Sequence, residues 1–361
     1  MPEHIILENS FLKGVLNNSP VAYLVMDKDF KVVYANQYLA KIAGVTQEDV
    51  LGKKCYEARG HTQTCSECVV MKAFQSHQKE YRMNRELDRF GRVRYNDNYA
   101  VPLFNADGSV DYVMEILADR TEEIGYQRRL SDDFYCMIDA FSEVVEAKDQ
   151  YTANHSRGVR DMSMLVAERM GLSEREKHDI YVAASLHDIG KVGVPDAIIN
   201  KPGKLDSEEF NVIKRHPEIG KQILSRLTDF ESVRQIILHH HERWDGKGYP
   251  DGLTGEEIPL GSRIVCVADS YDAMTSNRPY RQSMGHSAAA RELMNGSGSQ
   301  FDPAALDAFL DICAVKMTGD NPDDALTAYI NGCQDQIVLG DNPRVMHREP
   351  AERNTNADRE D

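Results

Sequence analysis

The chain has 361 residues and a net charge of −16, from 42 Lys and Arg against 58 Asp and Glu. That balance argues against a general binder of nucleic acid or membrane surfaces, and the length is ample for two domains with their own cores. No apolar run of about 18 residues and no basic-then-apolar start is visible, so a cytoplasmic protein without membrane or nucleic-acid partners is expected. Seven cysteines in such a chain do not suggest a disulfide framework.

After a short segment at 1–10, residues 11–120 read as mixed α and β. VAYLVMDKDFKVVYAN, residues 21–36, places two β-prone runs around Asp27, Lys28 and Asp29, a hairpin signal. NQYLAKIAGVTQEDVLG has helical spacing, with Gly52 as its stop. RVRYNDNYAVPLFNADGSVDYVMEILAD then alternates in strand fashion across a turn at Asp107 and Gly108. A hairpin, short helices and three strands closing in ADRTEE resemble a PAS domain, which implies an antiparallel sheet flanked by helices and a sensory role. The resemblance does not specify the ligand sensed.

Within this region CYEARGHTQTCSEC supplies Cys55, Cys65 and Cys68, with His61 between them. Three thiols and an imidazole suffice for a tetrahedral metal site, and Cys65 with Cys68 suffices for a redox dithiol. Ordinary reduced thiols around a turn fit the pattern equally well.

Residues 121–148 form one predicted helix, with Ile124, Leu130, Phe134, Met137, Ile138, Phe141, Val144 and Val145 spaced by three and four. The spacing suits either the seam of a dimeric coiled coil or a helix folded onto its own domain. Helices continue through an all-α domain at 140–319, with a capping box expected from Ser173 to Glu176. An extension follows at 320–361, polar and expected to be disordered after about 340.

Seven of the twelve histidines lie between His155 and His241. His155 shares a helical face with Val159, Met162 and Val166. His187 follows Ala183 and Ala184 by four and three, and His216 follows Ile213 by three. His240 and His241 each lie four after an isoleucine, whereas His239 lies four after Gln235 and is expected on the polar side. Asp269 lies four after Val265. Five inward imidazoles, with Asp188 and Asp269, would be costly to bury unpaired. A metal cluster pairs them, and imidazole with carboxylate suits Fe, Mn, Ni or Zn.

HDIGK at His187–Lys191 resembles the signature of the HD phosphohydrolase superfamily. HHERWDGKGYP at His240–Pro250 resembles the second signature of its HD-GYP branch, whose members hydrolyse cyclic di-GMP. AKDQYTANHS and DSYDAMTSNRPYR match the branch in order and spacing. The resemblance implies that His155, His187, Asp188, His216, His240, His241 and Asp269 ligate two divalent transition metals, Fe or Mn first, with Ni or Zn next. Some members have a glutamate where Tyr151 stands; its lack here implies two ions rather than three. His155, His187 and Asp269 would serve one ion and His216, His240 and His241 the other, with Asp188 bridging.

The implied reaction is hydrolysis of cyclic di-GMP to pGpG or GMP by a hydroxide between the ions, with Lys191 stabilising phosphate charge. Gly248 and Tyr249 would shape the ligand pocket, and Arg278 and Arg281 would bind the anionic dinucleotide, Arg281 standing where many relatives have lysine. Glu242 and Asp245 read as structural partners. A homodimer through the PAS region and the connecting helix is expected, and a GGDEF diguanylate cyclase is a candidate partner. Two other readings are an HD hydrolase acting on another cyclic dinucleotide or a nucleotide, and an interaction module using the GYP loop. The complete metal set and Lys191 count against the interaction module.

Overall fold

The computed structural model describes residues 10–58, 65, 67–87, 91–149, 154–276 and 283–314. The chain divides into two compact units between Arg129 and Leu130.

The first unit begins with α1 (Ser10–Asn17) and the strands β1 (Ala22–Asp27) and β2 (Val32–Ala35). Their hairpin forms at the expected turn, where Asp27 Oδ1 accepts from the amides of Asp29 and Lys31, each at 2.9 Å. The single helix read from the next stretch is two helices, α2 (Gln37–Ala43) and α3 (Gln47–Val50). Gly44 breaks it by taking φ 69°, and Thr46 restarts it with a capping box to Asp49. Two good local signals, a left-handed glycine and an N-cap threonine, outweigh the continuous apolar spacing.

Buried Asn36 ties this corner together: its Oδ1 accepts from Tyr23 N and Leu39 N, and its amide donates to Leu16 O and Val21 O. Next come α4 (Cys55–Ala58), α5 (Val69–Ser76), β3 (Glu80–Leu87), β4 (Val93–Phe104) and β5 (Val110–Asp119). The sheet is antiparallel in the order β2-β1-β5-β4-β3. Its inner residues Ala22, Leu24, Met26, Val113 and Leu117 join Leu39, Val50 and Val70 in one core. The β4–β5 turn uses Gly108 at φ 83°, as the sequence anticipates.

α6 (Thr121–Lys148) starts in this unit and runs into the second. Within the second unit it buries Tyr135, Ile138 and Val145, while Leu130, Met137 and Val144 stay 72%, 53% and 62% exposed. The rest is helical: α7 (His155–Arg169), α8 (Glu174–Leu186), a 3-10 turn (Ile189–Gly193), α9 (Asp196–Ile199), α10 (Ser207–Ile213), α11 (His216–Ile223), α12 (Glu231–His239), α13 (Leu260–Thr275), α14 (His286–Asn295) and α15 (Pro303–Ala314). The capping box from Ser173 to Glu176 is present.

Val159, Val166, Ala183, Ala184, Ile236, Ile237, Ile264 and Val265 form the centre of this core. Each fully buried isoleucine is worth about 1.5–3 kcal/mol. The first turn of α12 has no side-chain cap at Phe230 and is held by this packing, while Ser262 Oγ donates to Ile236 O in its last turn. Among the described residues no helix is long and apolar enough to cross a membrane.

Candidate metal centre

The chemistry-bearing residues sit mostly at helix ends. His155 opens α7, His187 caps the end of α8, Asp188 caps the 3-10 turn, His216 opens α11, and His240 caps α12. The helix read through Ile213 and His216 is in fact broken at Lys214 and Arg215. Their face relation survives the break because the His216 Nδ1–H donates to Ile213 O at 2.8 Å.

The same device orients two more rings: the Nδ1–H of His187 donates to Ala184 O and that of His240 to Ile237 O. Fixing the proton on Nδ1 leaves each Nε2 as a lone pair facing inward. The ligand atoms of His155, His187 and Asp188 lie within 4.8 Å of one another, as do those of His216, His240 and His241. Asp188 joins the two groups, with Oδ2 3.5 Å from His187 Nε2 and Oδ1 3.4 Å from His216 Nε2. Asp269 Oδ1 is 3.3 Å from His155 Nε2, whose Nδ1–H donates to Asp272 Oδ2 at 2.6 Å.

Metal ions fit this donor set. The Nε2 atoms of His216 and His240 are 3.4 Å apart with both protons committed elsewhere. Two lone pairs so placed repel, and a cation between them removes the conflict. Nitrogens about 2.1 Å from one tetrahedral ion would stand roughly 3.4 Å apart.

The electrostatics agree. Burial, with neighbouring imidazoles, holds His240 far below the usual histidine range and brings His241 to about 3, so both are neutral donors. Burial also lowers His216. Asp188 stays ionised although burial opposes it, because Lys191 and the surrounding histidines outweigh that cost. Burial disfavours charge on His155, but Asp269 and Asp272 push it up to about 10. That ring must release a proton before its Nε2 can hold a metal.

An HD domain model matches residues 113–305, more than half of the chain. This chain belongs to the HD domain family. A PAS fold model matches residues 16–125, in agreement with the sheet of the first unit. The cyclic di-GMP phosphodiesterase response regulator RpfG of Xanthomonas campestris is 46% identical over 175 residues, 48% of this chain and 46% of that protein. A cyclic di-GMP phosphodiesterase of Thermotoga maritima is 44% identical over 181 residues, 50% of this chain and 49% of its own. The 3'3'-cGAMP-specific phosphodiesterase 3 of Vibrio cholerae is 43% identical over 155 residues, 42% of this chain and 34% of its own. The chain thus spans half or less of the length of these relatives.

In the HD domain, Lys191 lies between two carboxylates, 2.8 Å from Asp188 and 3.0 Å from Asp149. Gly248 is required by close approach: a Cβ there would stand 2.4 Å from Arg243 N and 2.5 Å from Glu242 Cα. Tyr249 packs against His241, with ring centroids 4.9 Å apart. Glu242 accepts from the amides of Asp251 and Gly252, and Asp245 is paired with Arg243, so both hold the loop. A cavity of about 270 Å³ beside the centre is lined by His241, Asp269, Tyr249, Lys214, Phe210 and Gln300. Arg278, Arg281 and Tyr151 lie outside the described residues.

One expectation is corrected. His239 is buried rather than on a polar face: its ring bonds Gln235 O and, through Nε2, Asp251 at 3.0 Å. The loop after α12 folds back over that face, which helical periodicity cannot register. His239 nonetheless stands outside both ligand groups. His239→Ala should therefore keep near-normal metal content, measured by elemental analysis, while His240→Ala and His241→Ala should each lower it. Loss of a metal equivalent in the first and not in the others would overturn the assignment.

In the first unit, Cys55 is buried, Cys65 exposed and Cys68 half-buried. Cys68 Sγ accepts from Met71 N as the cap of α5, and burial raises its thiol. Among the described residues no ligand group includes these cysteines; His61 is not among those residues.

Asp272, Asp149 and Asp251, the partners of His155, Lys191 and His239, are further residues that the sequence reading misses, although Asp272, seven after Val265, shares the inward face of α13. For the first two a signal exists, since DSYDAM and AKDQ belong to the stretches that resemble the HD-GYP branch.

Proposed function

We propose that this chain is a metal-dependent phosphodiesterase that cleaves cyclic di-GMP to pGpG, GMP or both. The observation that carries the reading is the convergence of His155, His187, Asp188, His216, His240, His241 and Asp269 on one centre. Support comes from the 46% and 44% identity to proteins named cyclic di-GMP phosphodiesterases. His155, His187 and Asp269 would hold one ion and His216, His240 and His241 the other, with Asp188 between them. Imidazole with carboxylate suits Fe, Mn, Ni or Zn, and the resemblance to the HD-GYP branch puts Fe or Mn first.

When bound, such ions supply Lewis acidity toward phosphoryl oxygens and lower the pKa of coordinated water. The chain's own residues position the substrate. Lys191 adds positive charge beside Asp188, where phosphate oxygens would lie. Tyr249 walls the cavity, and Arg278 and Arg281 add charge for the dinucleotide.

Hydrolysis of 3'3'-cGAMP is a second reading, favoured by the 43% identity to the Vibrio cholerae enzyme named for that substrate. Incubating metal-loaded protein with each dinucleotide and separating products by chromatography tests both. Cyclic di-GMP should yield pGpG or GMP, and a chelator should stop it. Release from 3'3'-cGAMP alone selects the second reading, and release from neither removes both.

In this reading the PAS domain regulates turnover through α6 in a homodimer. Leu130, Met137 and Val144 support it, being exposed and seven residues apart, the repeat of a coiled-coil seam. Deleting three or four residues near Gly125 should change activity or its response to signal, and deleting seven should largely restore both. Equal activity across all deletions, with the fold intact, would make the helix a passive tether.

A further inference from the structure

We propose that Lys214, flanked by Phe210 and Tyr249, forms a guanine-recognition subsite in the cavity beside the candidate metal centre. The inference rests on the phosphodiesterase reading above and names the part of the substrate that this wall of the cavity recognises. Lys214 occupies the break between α10 and α11, two residues before His216, so its stem leaves the backbone next to the centre. Its ammonium is 4.8 Å from the Phe210 ring centroid and 5.4 Å from that of Tyr249. All three residues line the cavity shared with His241 and Asp269.

The other basic groups of this wall have acidic company. Arg243 makes a two-pronged contact with Asp245, and Lys247 Nζ is 3.7 Å from the same carboxylate. Near the centre, Lys191 is held by Asp188 and Asp149. Lys214 has no carboxylate partner among the described residues. It is held by aromatic faces alone, which leaves its three N–H donors for a ligand.

The surroundings suit a base rather than a second phosphate. Phe210 is 44% exposed, and flat aromatic faces of this kind stack nucleobases. An ammonium at the edge of a stacked purine distinguishes the two purines. Guanine offers O6 and N7, both acceptors, whereas adenine offers N7 next to an N6 amino donor that opposes the lysine. A phosphate contact would carry no such preference.

The test is calorimetric titration of the full-length, metal-loaded protein with GMP and separately with AMP. Wild-type protein should bind GMP more tightly. Lys214→Met should weaken GMP about tenfold while weakening AMP by less than about threefold. Lys214→Arg should recover most of the GMP affinity, and metal content and melting temperature identify any variant that has lost its fold. Equal weakening of both nucleotides would make Lys214 a phosphate contact and overturn the proposal. Unchanged GMP affinity in Lys214→Met, or no GMP binding by wild-type protein, would overturn it as well. Turnover of cyclic di-GMP by the wild type is measured separately, so a failed functional reading is not confused with a failed subsite.

Discussion

Asp188→Ala should abolish both metal binding and phosphodiester cleavage while leaving the PAS unit folded. Asp188 presents one oxygen to His187 and the other to His216, at 3.5 and 3.4 Å, so a single side chain serves both ligand groups. Removing it also deprives Lys191 of its 2.8 Å partner and leaves that ammonium beside the imidazoles. The centre then gains net positive charge just where two cations must sit. Metal activation is worth several kcal/mol, so turnover should fall by about three orders of magnitude or more. Asp188→Asn keeps the shape and loses the charge, and should fall nearly as far. Elemental analysis and turnover on the same preparation decide the matter; metal content and rate both retained would sink the bridging assignment.

Gly190→Ala should be nearly as damaging, for a steric reason. A Cβ at this position would lie 1.8 Å from the His216 carbonyl oxygen and 2.7 Å from Gly220 N. Both neighbours are backbone, so no side chain can swing aside. Relief requires the 3-10 turn and α11 to separate, which carries Asp188 and His216 apart. Overpacking of this kind costs about 1–3 kcal/mol and more when backbone must move. In a unit of this size that is a loss of roughly 2–12 °C in melting temperature. Metal content should fall with it. A variant that melts like the parent and keeps its metals would show that the two elements are not bound to this spacing.

These two variants also mark how far the chemistry is legible before the fold is known. The hairpin turns at Asp27 and Gly108 are local, decided within a few residues, and so can be read directly. So can the inward set of histidines, because helix periodicity and burial speak about the same faces. The break at Gly44 is harder, since the apolar spacing of Leu39, Ala40 and Val50 continues through it.

His239 shows a different limit. Its covering partner Asp251 is twelve residues away, on a loop whose path no periodicity describes. Asp272 is further still, 117 residues from His155 in sequence yet at hydrogen-bond distance in space. Gly190 is legible only as a small residue; that His216 O fills the place of its side chain is a property of the packed helices. Local propensity therefore reaches the candidate ligands, and tertiary packing supplies the residues that orient them.

The central claim is that the converging histidines and aspartates hold catalytic metals. It is tested most directly by stripping the protein with a chelator and adding back Mn²⁺ or Fe²⁺ while following bound metal and cyclic di-GMP turnover together. The stripped protein should be inactive, with activity returning as about two ions bind per chain. Full turnover in the stripped protein, or restored metal without turnover of any cyclic dinucleotide, would contradict the account.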